Sequence, residues 1–142
     1  MLPTAAESFM PHDAPMALID DIISCDAHHI ITRVTMHEQS LFLNTNQQIN
    51  ATVGIEYMAQ SAAAWSGYNA RQNQGQTAPP IGMLLGTRDY SAQVPYFNLG
   101  DVLTIEAQCL MFSAQGMGSF DCVIKRDEQT IAAARLSVYQ PQ

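Results

Sequence analysis

The stretch VGIEYMAQSAAAW, Val53 to Trp65, is almost wholly apolar and carries a single acid, Glu56. A carboxylate in such surroundings can take or give a proton in a reaction. The alternative is an acid in a helix's first turn that complements the macrodipole, with its head in water. Gln60 follows four residues later, on the same face of a helix. It can hold the carboxylate in place or serve as a hydrogen-bonding core residue.

Other polar groups could join such chemistry. His12 sits in the N-terminal segment, while His28, His29 and His37 bracket a β-branched run. Each has the reading of a surface or turn histidine beside a reactive one. Asn44, Asn46 and Asn50 can polarise a carbonyl or position a water but cannot act as a base. Their other reading is plain loop chemistry. Cys25, Cys109 and Cys122 are odd in number and lack CxxC spacing. They read as reduced thiols in a reducing compartment. No metal or cofactor is expected.

The elements that must position these residues are legible. HHIITRVTMHE, His28 to Glu38, reads as a strand, and the shorter apolar MALIDDIIS, Met16 to Ser24, precedes it. Pro11 and Pro15 suggest an extended lead-in. NTNQQINAT, Asn44 to Thr52, reads as a loop. A helix follows, capped by Thr52 or Asn50 and running to about Asn73, where Gly75 and APP stop it. That is roughly 30 Å of helix. Its first half is apolar on nearly all sides, which predicts burial all round. After Pro80, four strands are expected in IGMLLGTRDYSAQV, DVLTIEAQCLMFSA, GSFDCVIKRD and TIAAARLSVYQ, with turns at NLGD, AQGMG and RDEQ. One antiparallel sheet wrapped around one long central helix is the economical arrangement, an α+β domain.

The whole chain bounds the function classes. Its 142 residues point to one domain, residues 1–142. It is 47% hydrophobic and 13% charged, which fits a globular protein and not a disordered one. The net charge of −7 with no basic stripe argues against a nucleic-acid partner. No stretch reaches membrane-span length, and the N-terminus lacks a signal-peptide pattern, so a cytoplasmic protein is expected.

Three stretches resemble one family. MPHDAPMALIDDI is similar to its Leu-Pro-His-Arg-x-Pro segment, with an apolar run and an Asp after it. VGIEYMAQSAAA resembles its Ile-Glu-Ala-x-Ala-Gln-x-Ala helix. MLLGTRDYSAQVPYFNLGDVLTIEA resembles its strand-turn-strand segment, with Gly86 and Leu99-Gly100-Asp101 at the glycine and the turn. These are the FabZ/FabA-type 3-hydroxyacyl-acyl-carrier-protein dehydratases of the hotdog fold. The wording PHxAPM, GIEYMAQ and LLGTRxY is that of the ApeP-like branch from aryl-polyene clusters. The resemblance implies a hotdog fold and a substrate that is a thioester of an acyl-carrier protein or coenzyme A. It makes Glu56 the catalytic carboxylate, Gly86 the backbone donor to the thioester carbonyl, and Gln60 the residue that holds Glu56. His12, Asn44 and Asn46 become candidate substrate-binding residues. Arg88 becomes the centre of a carrier-docking patch, with Arg71, Lys125 and Arg126 as the other cations considered.

The family's Gly-His-Phe-Pro-Gly motif is absent. Its place falls near Phe42 to Asn44, in SLFLNTNQQINATVG. In the family that histidine acts across subunits with the carboxylate of the other chain. Three readings stay open. The chain is a dehydratase that replaces the histidine, with His12 or a water. Or it is a subunit, homodimeric or paired with another hotdog dehydratase that brings the histidine. Or it is a hotdog acyl-thioesterase.

Overall fold

The computed structural model describes residues 2–10, 16–74 and 83–139. Pro11, His12 and Pro15 lie outside them. The chain begins with β1 (Thr4–Ala5) and a short helical turn at Glu7–Phe9. Next come β2 (Asp21–Cys25), β3 (His29–Thr35) and β4 (Gln48–Asn50). A turn at Ala51–Val53 leads into α1 (Gly54–Gln74). The rest is β5 (Met83–Ala92), β6 (Tyr96–Asn98), β7 (Val102–Phe112), β8 (Met117–Arg126) and β9 (Gln129–Tyr139). Seven strands form one antiparallel sheet in the order β1-β2-β3-β7-β8-β9-β5.

Period-two patterning builds the inner face of that sheet. Ile30, Thr32 and Val34 of β3 point inward, as do Leu103, Ile105 and Ala107 of β7. Phe120, Cys122 and Ile124 of β8 continue the layer. Against it α1 sets Tyr57, Met58, Ala62 and Trp65. The polar pair buried here is satisfied: Thr32 Oγ1 and Ser61 Oγ are 2.7 Å apart, and Ser61 also donates to Tyr57 O at 2.8 Å.

Burial of the helix all round is corrected by the structure. Ile55, Glu56, Ala59, Ala63 and Ser66 fall on one side and are only half-buried. A single sheet can cover one flank of a helix, and these are the residues on the other flank. The loop reading of Asn44 to Thr52 also needs amendment. Ile49 and Phe97 are both fully buried and pair as β4 meets β6 in a separate two-stranded sheet. Among the described residues, no helix is long and apolar enough to cross a membrane.

The β8–β9 turn is a two-residue hairpin between Arg126 and Gln129, with Asp127 at φ 53° and Glu128 at φ 66°. Left-handed backbone at both positions is the type I′ geometry that suits Asn-Gly. Glu128→Gly is therefore expected to stabilise the chain by about 1 kcal/mol, since a side chain is disfavoured at positive φ. Urea denaturation checks this; an unchanged midpoint would mean the turn relaxes elsewhere.

Candidate functional site

The site begins where α1 starts. Asn50 Oδ1 accepts hydrogen bonds from Thr52 N at 2.9 Å and Thr52 Oγ1 at 2.8 Å, so Asn50 caps the Ala51–Val53 turn that leads into α1. Tyr90 of β5 donates its hydroxyl to Ala51 O and ties the same turn to the sheet. Glu56 then falls in the first helical turn, half-buried.

Gln60 lies one turn on and is fully buried. Its Oε1 accepts from Leu18 N at 2.7 Å, and its Nε2 donates to Met16 O at 2.8 Å and to Glu56 Oε1 at 3.1 Å. The amide cannot turn without breaking bonds to the segment that leads into β2. The proton it offers Glu56 is thus fixed in direction. Sequence alone allowed a holding role or a core role for Gln60; its bonds perform both.

Tyr57, the residue after Glu56, faces the core. Its hydroxyl donates to Met36 Sδ at 3.6 Å, and burial pushes the phenol up, so it stays protonated at neutral pH. Asp20 was not singled out from sequence, because an acid after an apolar run looks like any surface acid. Its surface is exposed, yet partial desolvation by its neighbours raises its carboxyl against the pull of the Thr35 N–H. It lines a cavity of about 180 Å³ together with Leu18, His37, Ser40 and Tyr57.

The other candidates divide. Asn44 and Asn46 are exposed, and Asn44 Oδ1 accepts from Asn46 N at 2.9 Å and Gln48 N at 3.0 Å. That is turn chemistry. His29 Nδ1 sits 2.9 Å from Asp26 Oδ2, and His37 Nδ1 accepts from Gln39 N at 3.1 Å, so both serve turns. His12 is outside the described residues. The three cysteines are free, and burial pushes the Cys25 and Cys122 thiols up to about 12, far from a reactive thiolate.

Gly86 and Arg88 stand on β5, the last strand of the sheet. Pairing with β9 is irregular between Leu84 and Gly86. A Cβ added at Gly86 would meet nothing within 4 Å, so its backbone is open to approach. Arg88 is exposed and directly opposite Arg135, which is turned to Asp121 at 2.9 Å. Arg33, Lys125 and Arg126 are likewise held by Asp21, Glu106 and Asp101. Arg71 donates to Ser8 O at 2.7 Å and lies over the Phe9 ring. Among the described residues Arg88 has no ion pair. The folded chain joins Glu56 to Gln60 and leaves Gly86 and Arg88 on a separate element.

A seven-stranded antiparallel sheet around one long helix, with a held carboxylate in the helix's first turn, defines a hotdog-fold protein of the dehydratase class. A sequence profile of the ApeP-like family, described as ApeP dehydratase, matches residues 4–142. The chain belongs to that family. Among solved structures it is similar to a chain of the dehydratase heterocomplex ApeI:P from Xenorhabdus doucetiae, with 34% identity and a TM-score of 0.91, covering 100% of this chain and 93% of that one. The smu.793 protein from Streptococcus mutans UA159 bound to acetyl CoA has 15% identity and a TM-score of 0.62, over 86% and 87% of the two chains. A hypothetical thioesterase with coenzyme A from Streptococcus pneumoniae TIGR4 has 15% identity and a TM-score of 0.63, over 84% and 86%. The last two share the fold. No curated protein sequence matches the chain.

Proposed function

We propose that this chain is one subunit of a cytoplasmic hotdog dehydratase that removes water from a 3-hydroxyacyl thioester on a carrier protein, in fatty-acid or aryl-polyene-like polyketide synthesis. The observation that carries the reading is Glu56, oriented by a Gln60 amide that is committed at both ends.

Elimination takes a proton from C2, protonates the C3 hydroxyl as it leaves, and needs a donor for the enolate oxygen. Glu56 supplies one of the two proton-transfer groups. The Gly86 N–H faces the thioester carbonyl. Arg88, exposed and without an ion pair among the described residues, meets the acidic carrier. Asn44 and Asn46 serve the turn in this reading. The second proton-transfer group is assigned to a partner hotdog subunit, because among the described histidines His29 and His37 are engaged in turns and His28 is exposed between β2 and β3. Support for a partner comes from the heterocomplex of the 34% identical relative. It also comes from β5, which among the described residues has no strand on its outer side.

The test is dehydration of a 3-hydroxyacyl-carrier protein, read by product mass, with the chain alone and with a histidine-bearing hotdog dehydratase added. Product in the mixture, well above that of either protein alone, is expected. A mixture no better than the added protein alone would overturn the shared site.

Gly86→Ala separates fold from chemistry. With open space around the new Cβ, stability should stay within about 0.5 kcal/mol. A methyl group between the amide and the thioester should lower kcat/KM about tenfold or more. Equal activity would remove Gly86 from the site.

A further inference from the structure

Phe42 combines two unfavourable features in one residue. Its φ is 73°, in the left-handed region that a bulky side chain rarely adopts, and the residue is 52% exposed. Its neighbours Leu41 and Leu43 are half-buried, and Leu43 packs on the core. The chain therefore turns both neighbours in and the aromatic ring out.

The loop holds that arrangement firmly. On one side Ser40 N donates to His37 O at 2.9 Å and His37 N donates to Ser40 Oγ at 2.8 Å. On the other, Asn44 N donates to Gln48 O at 2.8 Å and Gln47 N donates to Asn44 O at 3.0 Å. Two closed turns thus bracket Phe42 and leave it little freedom to fold back. Strain that persists because its surroundings over-determine it points to function. A ring that protrudes does not make a small-molecule site, since such sites are concave. A fixed, protruding aromatic side chain is the type of residue that anchors a protein interface.

We propose that Phe42 is the anchor through which this chain docks its partner hotdog subunit, its ring entering a pocket of that subunit. The inference rests on the partner reading given above and deepens it. The surroundings fit a protein occupant of that kind: α1 leaves Glu56, Ala59 and Ala63 half-covered, and β5 has an open edge among the described residues. The 34% identical relative is one chain of a dehydratase heterocomplex, which argues for a second subunit as the occupant.

The experiment titrates the purified chain into ApeI of Xenorhabdus doucetiae by calorimetry and follows the chain alone by sedimentation. Wild type should associate in at least one arm. Phe42→Ala and Phe42→Gly should each raise that Kd at least tenfold. The isolated Gly variant should melt above the Ala variant, because only glycine accepts positive φ without cost. Association with both variants as tight as wild type would overturn the anchor and leave the partner reading standing. A Gly variant no more stable than the Ala variant would deny the left-handed backbone, and the inference with it. A wild type monomeric in both arms would overturn the partner reading, and the anchor would fall with it.

Discussion

Glu56→Gln should reduce dehydration by the chain in its complex a thousandfold, while the protein folds as before. The folding half of this expectation comes from geometry. Gln60 Nε2 donates to Glu56 Oε1 at 3.1 Å, and the carbonyl oxygen of a glutamine at 56 can accept the same bond. Gln60 also remains tied to Leu18 N and Met16 O. The buried Gln60 amide keeps its bonds, so the change in stability should stay within about 0.5 kcal/mol. The chemical half comes from the proton: an amide neither takes nor gives one at neutral pH. Positioned acid–base groups contribute about 10²–10⁴ in rate, which brackets the loss. The measurement is product mass from a 3-hydroxyacyl-carrier protein, with both subunits present. Retained turnover would return Glu56 to its other reading, an acid that complements the helix dipole.

Gly67→Ala should be the most damaging small substitution for the fold. A Cβ at Gly67 would lie 2.0 Å from Phe9 O and 2.9 Å from Phe9 C. Both atoms are backbone, so no side-chain rotation relieves the clash. Either α1 shifts or the turn at Glu7–Phe9 lifts away. Lifting exposes Phe9, now 7% exposed, and pulls it from Tyr68 at 5.4 Å and from Arg71 at 4.1 Å. It also uncovers Ala6 and Met10, which are nearly fully buried. Burying one large apolar side chain contributes about 1.5–3 kcal/mol. The better helix propensity of alanine offsets about 1 kcal/mol of the loss. A net destabilisation of about 2 kcal/mol is expected, or about 5–10 °C in Tm. Thermal denaturation followed by circular dichroism decides it. An unchanged or raised Tm would show that the N-terminal turn does not press on the helix as described.

The contrast with Gly86 is instructive. Both are glycines in regular elements, and both look alike in sequence. One is pressed against a backbone carbonyl and the other faces open space. No local pattern distinguishes them, because the atoms that matter come from elements far along the chain.

The same division runs through the molecule. Local periodicity and local capping were enough for α1, which is helical throughout its described span Gly54–Gln74. They were also enough for β3, β7, β8 and β9, for the Asn50 cap, and for the turns between the last three strands. Such signals rest on neighbours within a turn or a pleat, and a sequence displays those directly. The family resemblance was legible in part for a related reason: its helix motif lies at the start of α1, and its strand-turn-strand motif runs from β5 to β7.

Tertiary structure alone decided which polar groups were spoken for. Gln60 finds its partners in Met16 and Leu18, more than 40 positions earlier. Asn44 uses its oxygen inside its own turn, Arg33, Lys125, Arg126 and Arg135 are each held by a carboxylate, and Arg88 has no ion pair among the described residues. The half-covered flank of α1 and the left-handed backbone of Phe42 also emerge only on folding. A side chain's type states what bonds it can make. Whether those bonds are already made depends on long-range closure of the chain, which composition and spacing do not encode.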